Sequence, residues 1–469
     1  MTSGRTRDGG SHAEPLRADV VVVGAGPAGC VVARRLADAG ADVLLLEAGD
    51  HPASPRAGLL DVGPGSRVVR RHPAWIGEGF WDLPRGRTLG GSGAVNGGYC
   101  SPARPADLEA WGREWPRRYA AGLARASERL RPRLEPMGPV ATRVAGAFPE
   151  RVSAIAQARI GARRVTAFDA WDPAGAGVRV RTGVSVARLR WADGLVGGRC
   201  DGVVIAGRSH DHDDDNVGAV EISATQVVLC AGTIGSASIL RGSGLGESTG
   251  HPVGHRVQEH PEVLLEVPAD WAPGEWAPGD GGVPEVPPAL LTHVVRLEFP
   301  DHAREPLAGD DHVRPGPVHA DGPRLAVPEV EVRPYALPMH RFIPGLDPVP
   351  LRIGLALMNP AGVGRIDAGG TVWLPTEPRD SEVLSAAAEF VADRIGVGRP
   401  ALTLSTSQHL SGSARIGEVV DDQGHVLGVG GVRVADASVL PELPRCGPYY
   451  TVLAVAESLA ADMVAARPW

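Results

Sequence analysis

Three glycines and an acidic residue near the start of the chain have the types and the spacing of a dinucleotide-binding site. Gly24, Gly26 and Gly29 stand in GxGxxG spacing directly after the apolar run Val20–Val23, and a segment with helical periodicity follows them. The first glycine permits a tight turn, the second lets a pyrophosphate approach the backbone, and the third allows helix and strand to pack closely. Glu47 closes the next apolar run and can accept hydrogen bonds from a ribose diol. This βαβ context favours a dinucleotide site over a glycine turn that serves packing alone.

A second glycine-rich stretch, residues 81–101, predicts a loop in contact with a ligand. Its letters, WDLPRGRTLGGSGAVNGGYCS, are too rich in glycine and serine for a helix or a regular strand. A flexible linker would not interleave Leu89, Val95, Asn96 and Tyr99 among the glycines. We therefore expect backbone amides of this loop to face a phosphate or a flavin.

The residues best suited to bind a metal ion are not spaced as a metal site. His210, Asp211, His212 and Asp213 lie in the acidic stretch 209–216, and a solvated hairpin tip is the favoured interpretation because adjacent residues rarely converge on one ion. The 5 cysteines lie far apart without a CxxC pair, which argues against structural zinc and against a disulfide framework. The sequence predicts no metal.

Composition and charge exclude further classes of protein. The chain has 47 basic and 55 acidic residues, and the net charge of −8 argues against a nucleic-acid partner. No apolar run reaches the ~18 residues of a membrane helix, so we expect no transmembrane segment. Residues 1–17 are polar without the apolar core of a secretory signal, and we expect a disordered tail there. The default expectation is a cytoplasmic protein.

The elements that must position these residues predict an α/β protein with two domains. The βαβ start, the strand and helix at 227–245, and the strand, turn and apolar helix after residue 431 suit a Rossmann-like domain with a parallel sheet. Strand-like alternation at 330–338 and at 351–358 predicts a sheet in a separate domain.

With these segments in order, the chain resembles the glucose–methanol–choline (GMC) family of flavoprotein oxidoreductases from about residue 19 to residue 465. GAGPAGCVVARRLA with LLLEAG is similar to the family's FAD-binding start, and GRTLGGSGAVNGGY is similar to its first signature, GRxLGGSSxxNxxxY. VVLCAGTIGSASILRGSGLG is similar to the second signature, and VGHRVQEHP resembles VGxNLxDHP with Glu259 in place of aspartate. SQHLSGSARIG and GVRVADASVLP resemble the last two segments of the motif series.

The resemblance implies a Rossmann-like FAD-binding domain of GMC type and a second, α+β substrate domain that contains an antiparallel sheet. The FAD-binding domain is expected at 18–101, 176–262 and 403–469, and the substrate-binding or cap regions are expected at 102–175 and 263–402.

The resemblance also implies which residues contact FAD. Tyr450 and Thr451 would offer backbone N–H groups to the flavin pyrimidine, at a helix N-terminus that stabilises negative charge on the reduced ring. From the adenosine end towards the flavin, the other expected contacts are with Gly24, Gly26, Gly29, Glu47, Val186, Arg87, Gly91, Asn96, Gly97, Asp436 and Ala437.

Two positions depart from the family pattern. Some members bind FAD covalently through a histidine just before the signature asparagine, and Val95 stands there in this chain, so we predict non-covalent FAD. The second catalytic position, a histidine or asparagine in the family, is Pro448, which has no side-chain donor or acceptor. Candidate substitutes are His340, Tyr335 and Tyr449.

The resemblance implies oxidation of an alcohol, with His409 as the base that removes the hydroxyl proton. Of the 15 histidines it alone lies in the HxxGT-like segment, and Ser411, Gly412 and Ser413 leave room beside its ring. A neutral imidazole can accept a proton at physiological pH. The electrons would then pass to oxygen or to a carrier such as a quinone or a respiratory carrier.

The identity of the alcohol stays open at this stage. The wording GGSGAVNGGYC and the short chain are similar to the bacterial branch associated with the redox cofactor mycofactocin, which suggests mycofactocinol or a related alcohol. An alternative is a choline- or sterol-type oxidase or dehydrogenase, which would differ from that branch only in its substrate pocket. Two alternatives of other classes are an NAD-dependent dehydrogenase, because GxGxxG and Glu47 suit NAD equally well, and a non-catalytic flavin electron-transfer protein, because of Pro448.

Overall fold

The computed structural model describes residues 16–195, 198–206, 220–272, 288–300, 306, 327–398, 402–467 and 469. The acidic stretch 209–216 and residues 1–15 of the expected tail lie outside the described residues. The predicted tail is two residues too long, because Arg17 already pairs with β13 as the first residue of β1. In chain order the strands are β1 (Arg17–Val23), β2 (Val43–Leu46), β3 (Val69–Ile76), β4 (Gly79–Gly86), β5 (Tyr99–Cys100), β6 (Val152–Ala154), β7 (Ala156–Gln157), β8 (Arg159–Ile160), β9 (Arg163–Arg164), β10 (Arg179–Arg181), β11 (Val186–Trp191), β12 (Cys200–Ile205), β13 (Val220–Leu229), β14 (Pro261–Glu266), β15 (His293–Glu298), β16 (Glu329–Pro334), β17 (Arg352–Leu357), β18 (Arg365–Ile366), β19 (Val372–Leu374), β20 (Thr403–Thr406) and β21 (Val432–Val434). The α-helices are α1 (Pro27–Asp38), α2 (Pro105–Ala110), α3 (Trp115–Leu130), α4 (Pro139–Ala147), α5 (Ala167–Trp171), α6 (Gly232–Gly242), α7 (Pro378–Ile395) and α8 (Pro448–Ala466).

A mostly parallel sheet forms the first layer, as the sequence predicts. Its order is β10-β2-β1-β13-β12-β11, and β21 also pairs with β13. Strands β10, β2, β1, β13 and β21 run parallel, while β12 and β11 are antiparallel additions at one edge. The apolar run Val20–Val23 is buried because both faces of the sheet are covered. The dinucleotide turn, Glu47 and Asp436 all follow the carboxyl ends of parallel strands, where ligands bind in open α/β sheets.

A six-stranded sheet in the order β20-β14-β17-β16-β15-β6 forms the second part of the molecule, and all its pairs are antiparallel. Because side chains alternate along a strand, Val330 and Val332 of β16 lie in an apolar cluster with residues of α4 and α7. Glu329, Glu331 and Arg333, on the opposite face of β16, are buried as well. The sheet therefore has one apolar face and one charged face.

This sheet includes two strands that lie at the predicted domain boundaries. β14 begins at Pro261, and its partner β20 covers Thr403–Thr406, inside the range 403–469 expected for the FAD-binding domain. After the early edge strand β6, the chain returns to the second sheet on β14 and leaves it on the neighbouring strand β20, directly beside Glu259, His260 and His409.

A third sheet, in the order β18-β19-β3-β4, joins an early hairpin to a late one. β3 and β4 pair over their whole length, and β19 adds parallel to β3. Since β4 ends at Gly86, this sheet delivers the chain directly into the glycine-rich loop.

Helix α8 is the central helix of the FAD-binding half. It packs against α1 and α3, and most of its residues from Tyr450 to Ala460 are buried. Within the described residues it is the one helix whose length and hydropathy would suffice to cross a membrane, and 67% of that window is buried inside the fold. Its composition is that of a core helix.

One charged residue lies in the buried part of α8. The Glu457 carboxylate accepts hydrogen bonds from Arg35 at 2.8 and 2.9 Å, from Arg125 at 3.2 Å and from Nε1 of Trp171 at 2.8 Å. A fully buried carboxylate is stable only when such donors surround it. Glu457 thereby links α8 to α1, α3 and α5.

We predict that Glu457→Ala lowers the free energy of unfolding by about 3–5 kcal/mol, because it leaves two arginines and an indole N–H without their acceptor. Urea denaturation of the holoprotein measures this change. The control is Asp38→Ala, which breaks the partly exposed pairs with Arg34 and Arg129 and should cost about 0.2–1 kcal/mol. Equal losses in the two variants would contradict the role assigned to Glu457.

Candidate active site

The three glycines of the first turn differ in what a side chain would contact at each position. Gly24 has a φ of +98°, and a Cβ there would lie 2.5 Å from the carbonyl oxygen of Cys230. A Cβ at Gly29 would lie 1.9 Å from the carbonyl oxygen of Gly24. At Gly26, the N-cap of α1, a Cβ would meet nothing closer than 3.9 Å. Protein packing therefore explains the first and third glycines, whereas Gly26 leaves an open approach to the free N–H groups of α1, as a phosphate requires.

Glu47 is buried beside this turn and is 5% exposed. One carboxylate oxygen accepts the N–H of Ala25 and the other accepts the N–H of Gly49, both at 2.9 Å. Burial raises the pKa of Glu47, and these amides and the charge of Arg87 oppose that rise. Each oxygen keeps acceptor capacity for a ribose hydroxyl. Val184 donates to the Glu47 carbonyl at 2.9 Å, which brings the start of β11, and with it Val186, alongside Glu47.

The glycine-rich loop folds against the first turn. Residues 91–94 form one 3₁₀ turn, and Gly90 donates to the carbonyl of Ala25 at 2.8 Å. Gly91 has a φ of +53°, and a Cβ there would lie 2.7 Å from the Cα of Gly26. The predicted loop 81–101 is too long at both ends, because residues 81–86 pair with β3 as part of β4 and Tyr99–Cys100 form β5. The glycines cluster between them, and this shorter loop is an ordered element pressed against the dinucleotide turn, in which Gly91 must be glycine.

Asn96 and Gly97 lie at the far end of this loop. The Asn96 side-chain oxygen accepts from the N–H of Gly98 at 2.9 Å and from Nη1 of Arg164 at 3.0 Å. A Cβ at Gly97 would lie 2.4 Å from the ring of Tyr99. Burial lowers the pKa of Arg164 to about 10. The sequence analysis did not single out Arg164, since nothing in its local sequence indicates that it reaches this loop.

Asp436 is fully engaged within the protein. Its carboxylate accepts from the N–H of Gly232 at 2.7 Å, from Oγ of Ser236 at 2.6 Å, and from both the N–H and the Oγ of Ser438. Four bonds match the acceptor capacity of a carboxylate. Its side chain therefore ties the end of β21 to the start of α6, and direct contact of Asp436 and the adjacent Ala437 with FAD stays a prediction.

The first turn of α8 points its side chains into the fold and its backbone donors outward. The Tyr450 hydroxyl bonds to Oγ of Ser127 at 2.6 Å, and Oγ1 of Thr451 lies 3.3 Å from the Tyr119 hydroxyl. With Gly447 as N-cap, the N–H of Tyr450 has no acceptor within the helix. The N–H of Thr451 is the first that reaches the N-cap carbonyl, so the helix geometry favours Tyr450 over Thr451 as the donor to a ligand.

His409 is buried beside the first turn of α8. Its Nε2 lies 3.5 Å from the position that a Cβ would take on Gly447, and the Tyr99 ring lies 3.4 Å from the same point. The Nδ1 of His409 lies 2.8 Å from the Nδ1 of His260, with the two rings perpendicular. The backbone N–H groups of His409 and His260 both donate to Oε1 of Glu259, at 2.7 and 3.0 Å.

Burial sets the protonation states of this cluster. Burial lowers the pKa of His260 to about 3, and the positive charge of Arg333 contributes a smaller part of this decrease. The pKa of His409 is also well below its ordinary value. Burial is the main cause, and smaller contributions come from the neighbouring groups His260, Arg333 and Arg85. Both rings are therefore neutral at physiological pH, and either can accept a proton. Burial raises the pKa of Glu259 to about 7, and the nearby Arg85 guanidinium opposes this rise.

None of the three candidate substitutes for Pro448 is hydrogen-bonded to His409. His340 accepts the N–H of Val349, and the Tyr335 hydroxyl donates to Glu262 at 2.6 Å. The Tyr449 ring packs over Gly93, and its buried hydroxyl has no hydrogen-bond partner in the described part of the chain. His260 is the residue that the fold brings to His409, and the sequence analysis missed it although it lies in the quoted segment VGHRVQEHP.

The charged face of the second sheet borders this histidine pair. Arg333 is 1% exposed, and its guanidinium donates to Glu331 at 2.9 Å, to Glu262 at 2.9 Å and to Oγ of Ser407 at 2.6 Å. Periodicity alone did not reveal this network, because buried charges and surface charges alternate in the same way along a strand.

A metal centre finds no support within the described ranges. These residues contain no group of three or more histidine, cysteine or acidic side chains able to hold an ion. All of Cys30, Cys100, Cys200, Cys230 and Cys446 are buried free thiols.

Family models match three parts of the chain. Two described as GMC oxidoreductase match residues 136–262 and 371–456, and one described as an NAD(P)-binding Rossmann-like domain matches residues 22–76. An uncharacterized GMC-type oxidoreductase of Rhodococcus erythropolis is 29% identical over 95% of this chain and 98% of its own length. One of Mycobacterium tuberculosis is 29% identical over 96% of this chain and 76% of its own length.

Solved structures show the same fold. Pyridoxine 4-oxidase from Mesorbium loti superposes with a TM-score of 0.71 at 20% identity, over 95% of this chain and 98% of its own. Formate oxidase superposes with a TM-score of 0.75 at 20% identity, over 97% of this chain and 99% of its own. These likenesses confirm the predicted fold class, and the two GMC oxidoreductase models favour an FAD-dependent enzyme over the NAD-dependent alternative. The chain belongs to the GMC oxidoreductase family, and it is an FAD-dependent oxidoreductase.

Proposed function

We propose that this protein oxidises an alcohol and that His409 is the base that accepts the hydroxyl proton. The observation that supports this most directly is the position of His409, a neutral, buried imidazole with Nε2 facing the first turn of α8. That turn is where the flavin ring is expected, and Arg333 of the charged face lies close enough to His409 to lower its pKa. A CH–OH group held between them would have its hydroxyl proton next to a base.

The residues present fit FAD. The open approach at Gly26, the acceptor capacity of Glu47 and the free N–H of Tyr450 are placed as the phosphates, a ribose and the flavin pyrimidine require. We propose that the stretch of FAD between the pyrophosphate and the flavin is lined by Arg87, Gly91, Asn96 and Gly97. Further proposed contacts with FAD are Val186, Asp436, Ala437 and Thr451. When bound, FAD supplies the acceptor for the hydride of the alcohol carbon. The protein positions the alcohol, excludes water and holds the proton on His409.

The charges around the site favour a neutral, polar alcohol. Glu262 and Glu331 are both paired with Arg333, so neither carboxylate is free for a cationic head group such as that of choline. A sterol would have to desolvate this charged face without pairing it, at a high cost in free energy. We therefore favour a hydroxyl-rich alcohol, with mycofactocinol as the finer proposal that the loop 90–100 suggests.

An anaerobic screen tests the activity. The holoprotein is mixed with primary alcohols, sugars, choline and reduced mycofactocin, and bleaching of the flavin absorbance is recorded. We expect bleaching by a neutral hydroxyl compound, and subsequent addition of oxygen or of a quinone identifies the electron acceptor by the rate of reoxidation. If no alcohol of any class bleaches the flavin, the proposal is wrong.

We predict that His409→Ala slows flavin reduction about 10²–10⁴-fold, the usual contribution of a general base. FAD stays bound, because the dinucleotide contacts lie elsewhere. Stopped-flow reduction with an alcohol found in the screen measures the rate. The matched control is His340→Ala, which removes a half-buried histidine without a bond to His409. A rate within a few-fold of wild type would eliminate His409 as the base.

The lowered pKa of His409 predicts the pH profile of flavin reduction. A base whose pKa lies below its ordinary 6.5 stays unprotonated as the pH falls, so the rate should be constant from about pH 8 to about pH 6.5 and fall only below. Glu259, with a pKa of about 7, titrates in the same interval. The profile is therefore also recorded for Glu259→Gln, and loss of rate at or above pH 6.5 in that variant would contradict the prediction.

We predict that FAD is held without a covalent bond, since Val95 is apolar, buried and unable to form one. Acid precipitation of the holoprotein should release all yellow colour to the supernatant. A yellow pellet after repeated washing would show a covalent link.

A further inference from the structure

Two neutral imidazoles that share one hydrogen bond must divide the roles of donor and acceptor. The Nδ1 atoms of His260 and His409 lie 2.8 Å apart, and both rings are buried, His260 completely. A neutral ring has one protonated nitrogen and one lone pair. Either His409 donates from Nδ1 and keeps a lone pair on Nε2, or the two roles are reversed.

The surroundings of His260 select the first arrangement. Its Nε2 has no direct hydrogen-bond partner among the described residues, and the backbone carbonyls of Met358 and Pro444 lie beside the ring. Carbonyl groups only accept hydrogen bonds, so the ring proton of His260 is most stable on Nε2, the nitrogen that His409 does not occupy. The Nδ1 of His260 is then the acceptor.

The reverse arrangement is unfavourable for His260 and incompatible with the proposed role of His409. It would use the single ring proton of His260 in the bond to His409 and leave no N–H for the backbone carbonyls of Met358 and Pro444. It would also place a proton on Nε2 of His409, the nitrogen that faces Gly447 and the first turn of α8. A protonated Nε2 cannot accept the proton of an alcohol.

The backbone fixes the spacing on which this selection depends. Oε1 of Glu259 accepts the N–H groups of both histidines, and Ser407 donates to the carbonyl of His260 at 3.1 Å. These bonds hold the start of β14 against the segment after β20. The rings therefore meet at Nδ1 without depending on a ligand.

We propose that His260 is a positioning residue that holds His409 as its Nδ1–H tautomer, with the Nε2 lone pair directed at the substrate. It thereby supplies the orienting group that the side chain at Pro448 cannot provide. When Nε2 accepts the alcohol proton, the O–H bond breaks, the new N–H bond forms on His409, and the charged ring keeps its Nδ1–H bond to His260. This inference rests on the proposed role of His409 as the base.

Nuclear magnetic resonance of protein labelled with nitrogen-15 histidine tests the tautomer without any turnover. The ring signals of His409 are identified by their loss in His409→Ala. We expect a protonated Nδ1 and an unprotonated Nε2 on His409, both with and without FAD. A protonated Nε2 on His409 in the wild-type protein would overturn the proposal.

Two variants test whether His260 causes this state. His260→Asn can keep an acceptor oxygen near the position of Nδ1, whereas His260→Leu removes it at similar volume. We expect His260→Leu to lose the Nδ1–H tautomer and to slow flavin reduction roughly 10- to 100-fold, as is typical when a group that orients a functional histidine is lost. His260→Asn should restore the tautomer and most of the rate.

These experiments separate the positioning role of His260 from the proposed role of His409 as the base. An unchanged tautomer in a folded His260→Leu variant contradicts the positioning role, whatever the rate. If His260→Leu does not fold, the tautomer of His409 in the wild-type protein and in His260→Asn still tests the positioning role. A protonated Nε2 on His409 in either protein would contradict it. Normal flavin reduction by His409→Ala would instead overturn the proposed function, while the tautomer measurement would stand by itself.

Discussion

A single buried carboxylate, that of Glu259, connects the segments that meet at the histidine pair. Its Oε1 accepts two backbone N–H groups, one at the start of β14 and one after β20, while Oε2 lies 3.9 Å from the guanidinium of Arg85 at the end of β4. A charge at this depth requires such donors, and the raised pKa of Glu259 reflects the cost of its burial. The geometry of His260 and His409 follows from this arrangement, because one carboxylate oxygen holds the backbone of both residues.

The cofactor side of the molecule depends on close approach of two glycine segments. Gly26 and Gly91 approach so closely that a side chain on Gly91 would collide with the backbone of Gly26. This contact places the ordered loop over the N-terminus of α1 and leaves the donors of that helix open. Arg85 lies on β4, which leads directly into the same loop, so the loop and the histidine pair are held by one continuous stretch of chain.

The second sheet relates the two halves through its two unlike faces. Valine and leucine side chains on one face pack against α4 and α7, and ionic groups on the other face are buried towards the histidines. Arg333 is paired with both Glu262 and Glu331, and Arg296 also pairs with Glu331, so two arginines compensate the two carboxylates at this boundary. Burial lowers the pKa of both histidines, and the Arg333 guanidinium lowers it further, so both rings are neutral.

The sequence by itself determined the βαβ start, the glycine-rich loop, the family and the candidate base His409. These features are encoded by residues close together in the chain, where turn geometry and periodicity act locally. The tertiary structure alone decided that His260 contacts His409, that Arg164 reaches Asn96, and that Glu262, Glu331 and Arg333 form one buried network. These contacts join residues distant in sequence, and each depends on strand order, register and burial, which short-range patterns do not specify.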